Sequence, residues 1–120
     1  MSITPLHPSA NNRKDKRVAV DRPIKVTYQQ EIHTSKMINL SVSGLGLISH
    51  LAFKDQSQIE VHFKVPFYNE LSQIKLNAQV VHCTPVRGQY HIGLKFHQVS
   101  PHQQKVISNY IQFKENNSKL

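Results

Sequence analysis

Asn39-Leu40-Ser41-Val42-Ser43-Gly44-Leu45-Gly46-Leu47 reads as the end of one strand, a turn and the start of the next. Leu40, Val42, Leu45 and Leu47 are strand material, whereas the residues between them are polar or glycine. Asn39 and Ser41 are two apart, which places them on one face of a strand. A face carrying an amide and a hydroxyl can read the edge of a base or another planar group. Gly44 falls where the chain leaves one strand for the next, and glycine there admits positive φ or a close approach by backbone or ligand. Upstream, Arg13-Lys14-Asp15-Lys16-Arg17 carries two arginines four apart. The two stretches form R-x-x-x-R and then N-x-S-x-x-G, separated by a strand-sized interval.

On either side of these stretches the chain alternates apolar and polar residues with the period of a strand. Residues 23–30 set Ile24, Val26 and Tyr28 against Lys25, Thr27 and Gln29. Residues 32–40 are the expected hairpin partner, and residues 44–50 a short third strand. Residues 58–65 alternate most cleanly, with Ile59, Val61, Phe63 and Val65 inward. Residues 72–83 place Ile74, Leu76, Ala78 and Val80 on one face, and Val81 breaks the alternation, as a bulge would. Residues 89–97 form the last strand, with Tyr90, Ile92, Leu94 and Phe96 inward. Turns are expected at residues 66–70 and 84–88, and a loop at residues 51–57. Ser100 as N-cap, Pro101 at the first helical position and Gln103 as box partner then start a helix. Val106, Ile107, Tyr110, Ile111 and Phe113 follow at helical spacing, a stripe suited to covering a core. The expected fold is mainly β: a six-stranded antiparallel β-barrel, which removes exposed edges, with a C-terminal α-helix. Residues 1–12 read as a disordered lead, residues 13–114 as the single domain with its flexible basic N-terminal linker, and residues 115–120 as a disordered tail.

The paired motif resembles the two-part signature of the PilZ domain family, the bacterial receptor module for cyclic di-GMP. Arg13, Arg17, Asn39, Ser41 and Gly44 fill every slot of the family pattern R-x-x-x-R, D/N-x-S-x-x-G. Val18-Ala19-Val20-Asp21-Arg22-Pro23-Ile24-Lys25-Val26 is similar to the family's lead into its first strand. His91-Ile92-Gly93-Leu94-Lys95-Phe96 is similar to its last strand before a terminal helix. The likeness runs from about Arg13 to about Phe113. It implies a receptor that binds cyclic di-GMP as a ligand, with no cofactor. Arg13 and Arg17 would grip guanine and phosphate with the planar fork that lysine lacks. Asn39, where many family members have aspartate, would give and take hydrogen bonds at the donor-rich edge of guanine. Ser41 would supply a hydroxyl to ligand or loop, and Gly44 would shape the turn. The linker would be mobile when free, and its ordering over the barrel would be the signal passed to a downstream effector protein.

The formal charge of +8 points to an anionic partner. Cys83 is alone, which suits a reducing compartment, and no stretch reaches the length of a membrane span. A cytoplasmic protein, monomeric or weakly dimeric, is expected. The histidines include no H-x-x-x-H or H-E-x-x-H, so no metal site is assigned. The seven acids are scattered without a pair, so no enzyme is expected. Lys25, Lys36, Lys54, Lys64, Lys75, Lys95 and Lys105 show no track along the sequence, which argues against a nucleic acid polymer. Two other readings remain: an OB-like nucleic-acid-binding barrel, or an adaptor that binds protein without ligand. The first would want exposed aromatic rings, whereas Tyr28, Phe63, Tyr90 and Phe96 take core-facing positions.

Overall fold

The computed structural model describes residues 15–118. Six strands, β1 (Val18–Tyr28), β2 (Glu31–Leu40), β3 (Gly44–Ser49), β4 (Gln58–Phe67), β5 (Glu70–Val86) and β6 (Gln89–His97), precede one helix, α1 (Pro101–Ser118). The strands close into an antiparallel barrel in the order β1-β2-β3-β6-β5-β4. Closure is by a short seam in which Lys25, Val26 and Thr27 of β1 pair with His62, Val61 and Glu60 of β4. The expected architecture is therefore the observed one.

The alternation explains the packing. Ile59, Val61, Phe63 and Val65 of β4 are buried, as are Ile74, Leu76, Ala78 and Val80 of β5. Ile92, Leu94 and Phe96 of β6 join them, while Tyr90 is only partly covered. The bulge suggested by Val81 is present: the β5–β6 register shifts between Val80 and His82. A second shift lies in β2 between Met37 and Asn39. Each bulge turns two successive residues to the outer surface.

Boundaries differ from the sequence reading where pairing continues into the turns. β1 starts at Val18 rather than at residue 23, because Val18 and Ala19 pair with Leu40 and Asn39. Pro66 and Phe67 pair with Leu71 and Glu70, which shortens that turn to two residues. Pro85 and Val86 pair with Tyr90 and Gln89 in the same way. The tight turns need left-handed residues: Arg87 and Gly88 have φ of 52° and 81°. Gln29 and Gln30 take φ of 51° and 70° without glycine or asparagine, so nothing local marks that hairpin.

The capping box forms as expected. The Gln103 amide donates to Ser100 Oγ at 3.1 Å, and the Ser100 amide to Gln103 Oε1 at 3.0 Å. Gln103 Nε2 also donates to the Lys75 carbonyl at 2.9 Å, which ties the first turn to β5. Val106, Ile107, Tyr110 and Ile111 seal the core against β4 and β1. Phe113 does not: it is exposed, so the stripe is covered only as far as Ile111. The helix continues through Ser118, past the point where the sequence reading placed a tail. Phe53, in the loop after β3, is buried against the Tyr28 ring at 4.6 Å. No helix among the described residues is long and apolar enough to cross a membrane.

Candidate functional site

The two halves of the motif meet in space. Arg17, one residue before β1, donates from Nη1 to Asn39 Oδ1 at 2.7 Å. The meeting follows from the register: Ala19 pairs with Asn39, so the residues leading into β1 lie beside the end of β2. Arg13 lies outside the described residues. The linker from Asp15 onward is held at three successive residues. Ser43 Oγ donates to the Asp15 carboxylate, Lys16 pairs with Glu115 on α1, and Arg17 reaches Asn39.

Ser41 does not share an outward face with Asn39. The strand ends at Leu40, and Ser41 is wholly buried in the turn. Its hydroxyl accepts from the Gly44 amide at 3.1 Å and the Ser43 amide at 3.3 Å, and donates to the Gly44 carbonyl at 3.1 Å. Its amide also donates to the Gly44 carbonyl at 2.8 Å. Of the two roles open to Ser41, the structure shows the loop. Gly44 is needed for close approach rather than for positive φ: a Cβ there would lie 2.0 Å from the Leu94 carbonyl oxygen on β6.

Asn39 borders a cleft of 440 Å³ on the outer face of β2, β3, β6 and β5. One ladder row organises it. Asn39 pairs with Gly46, Gly46 with Gly93, and Gly93 with His82. Four strands at about 4.8 Å spacing make this row about 14 Å long. Its middle has no side chains, and its ends are polar. A Cβ on Gly46 would come within 2.6 Å of Asn39 Nδ2, and one on Gly93 within 2.4 Å of His82 Nε2. The glycines are thus the floor on which the amide and the imidazole lie. The two bulges aim those end residues outward, Asn39 on β2 and His82 on β5.

Arg17, Ser43, His91 and Lys95 complete the polar lining; among the described residues no acidic side chain lines the cleft directly, and the Asp15 carboxylate accepts from Ser43 Oγ. The site therefore combines a guanidinium fork, an ammonium, two imidazoles, an amide, a hydroxyl and a glycine floor. That set suits a planar polar ring joined to an anion. His82, His91 and Lys95 were not singled out as site residues from the sequence. The available signal was the pair Gly46 and Gly93 inside otherwise regular strands, where glycine often marks a close approach. Among the described residues, no group of three or more His, Cys, Asp or Glu could hold a metal ion.

Comparison with known proteins agrees with this geometry. No curated protein matches the chain. The motility inhibitor MotI of Bacillus subtilis is similar in fold, with a TM-score of 0.79 at 15% identity, over 87% of this chain and 51% of that one. A PilZ domain of YcgR from Escherichia coli, solved with c-di-GMP, gives a TM-score of 0.72 at 13% identity, over 89% of this chain and 94% of that one. YcgR in its longer form, also with c-di-GMP, gives 0.69 at 17% identity, over 89% of this chain and 47% of that one. The chain thus spans about half the length of MotI and of the longer YcgR. Residues 11–113 match the profile of the PilZ domain, and the chain belongs to the PilZ domain family.

Proposed function

We propose that this protein is a cyclic di-GMP receptor that acts through a partner and not as an enzyme. The observation that carries the reading is the Arg17–Asn39 hydrogen bond at the mouth of the glycine-floored cleft. It joins two motif halves that are 22 residues apart in sequence. The family assignment and the c-di-GMP complexes of YcgR support the ligand class.

One guanine lies along this row, against the Asn39 amide and the His82 ring that rest on Gly46 and Gly93. Asn39 addresses its polar edge, and His82 closes the far end of the row. Arg17 keeps free N–H donors beyond the one given to Asn39, since a guanidinium has five. These grip guanine N7 and O6 or a phosphate, with Arg13 as the second fork. Lys95 supplies a point charge for the other phosphate.

Signalling follows from what Asp15, Lys16 and Arg17 already hold. Ligand competes for Arg17, and the same short segment carries the Lys16 contact to Glu115 on α1. A shift of the linker onto ligand therefore changes what the end of the helix presents to a partner. Titration calorimetry with cyclic di-GMP tests the reading. Saturable binding that Asn39→Ala weakens about tenfold, with GTP and GMP competing poorly, is expected. Absence of binding by the wild-type chain overturns it.

A further inference from the structure

The lysines that show no track in the sequence form one in the fold. Lys25 of β1 pairs with His62 of β4, and His62 pairs with Lys75 of β5. Three basic residues thus stand side by side across three strands, within about 10 Å. Lys25 and His62 of the row, with Lys64 and Arg22, line a 540 Å³ groove that takes no acidic side chain among the described residues, and Lys75 continues the row beyond it. Arg22 is held in place: its Nε donates to the Lys64 carbonyl at 2.8 Å, and its guanidinium carbon lies 6.0 Å from the Tyr110 ring centroid. Among the described residues, Lys25 and Lys64 have no ion pair. Lys75 has a loose one with Glu60 at 3.8 Å, both side chains being well exposed.

Lys25 and Lys75 stand on either side of His62 on one face, and cations gathered on one face of a sheet repel one another. Nothing in the packing calls for them here, because all these groups face outward. Departures from local consistency of this kind concentrate at functional sites. Strand order places the row half-way round the barrel from the cyclic di-GMP cleft: that cleft centres on β3 and β6, and this face on β1 and β4. The two surfaces are therefore separate.

The groove also has an apolar lip. Leu71 lines it and is 58% exposed, beside Tyr68 at the tip of the β4–β5 hairpin, 76% exposed. Beyond the three paired residues of the β1–β4 seam, Arg22 Nε already takes the Lys64 carbonyl, so side chains rather than an added strand are the means of holding a partner here. Single-stranded nucleic acid would need rings to stack on within the groove. The one Phe, Tyr or Trp that lines it, Phe63, is buried in the core. We propose that the outer face of β1, β4 and β5 docks an acidic surface of a partner protein, whose apolar side chain packs on Leu71.

Fluorescence anisotropy tests this with a labelled peptide of glutamates around a central leucine. Controls are the same peptide with glutamine for glutamate, and an oligothymidylate. The variants are Lys25→Glu/Lys75→Glu and Leu71→Ser, with thermal unfolding as a check on folding. The acidic peptide should bind at least about tenfold tighter than its glutamine version. The double variant should lose about tenfold or more and Leu71→Ser about threefold, both unfolding cooperatively as folded proteins. Equal binding of both peptides, or undiminished binding by the double variant, overturns the proposal. Tighter binding of oligothymidylate than of the acidic peptide, lost in the same double variant, overturns it in favour of a nucleic-acid face.

Discussion

Ser41 and Gly44 satisfy one another's polar atoms inside the fold, whereas Asn39 and His82 present theirs on the outer surface, over Gly46 and Gly93. Both regions use glycine, for different reasons. Gly44 leaves room for backbone: the Leu94 carbonyl would meet its Cβ at 2.0 Å. Gly46 and Gly93 leave room for the ends of side chains, the Asn39 amide and the His82 ring. A carbonyl in a paired strand cannot withdraw without breaking its ladder, but an amide or imidazole can rotate. The same short motif is therefore part scaffold and, on the proposed function, part contact, and substitutions should separate the two.

The largest effect should come from Gly44→Ala. Overpacking against fixed backbone costs about 3 kcal/mol of folding stability here, at the upper end for such changes. Urea unfolding at wild-type midpoint would remove the scaffold role from Gly44. Arg17→Ala should invert that profile. Its loss is expected in cyclic di-GMP affinity, about 2–3 kcal/mol or roughly 30- to 150-fold by calorimetry. Its unfolding midpoint should hardly move, because the lost bond to Asn39 is exposed. Unchanged affinity would withdraw Arg17 from the site.

Ser41→Ala should sit between them, on the side of stability. It removes the acceptor of the Gly44 and Ser43 amides in a buried turn, at a cost of about 1–2 kcal/mol. Ligand affinity of the folded fraction should stay near wild type; a selective loss of affinity would return Ser41 to the contact half. Gly46→Ala should do the reverse on a smaller scale. Displacing the Asn39 amide should weaken ligand binding by about 1 kcal/mol while stability changes by less. Salt should matter least. Two phosphates limit the slope to about two log units of affinity per log unit of salt, far below that of a polymer groove. A steep slope would mean that the basic surface reads a longer anion.

Much of this was legible in the residues. Alternation in residues 58–65 placed β4 and its buried face. The break at Val81 announced the β5 bulge, because an extra residue must interrupt a period of two. Ser100, Pro101 and Gln103 located the helix start, since capping is settled within one turn of chain. Arg17 and Asn39 were found as a motif, and the fold brought them into contact.

Other features required the closed barrel. The burial of Ser41 depends on where β2 ends, and alternation alone carried that strand's outward face one residue too far. The row from Asn39 to His82 joins four strands, so it exists only once three registers are set. The cationic row of Lys25, His62 and Lys75 likewise spans residues far apart in the chain, and the sequence shows them only as scattered charges. Local chemistry determines caps, bulges and which face of a strand is apolar, because its reach is a few residues. Which outward side chains become neighbours is decided by strand order and register, and these are fixed by burial of the whole core at once.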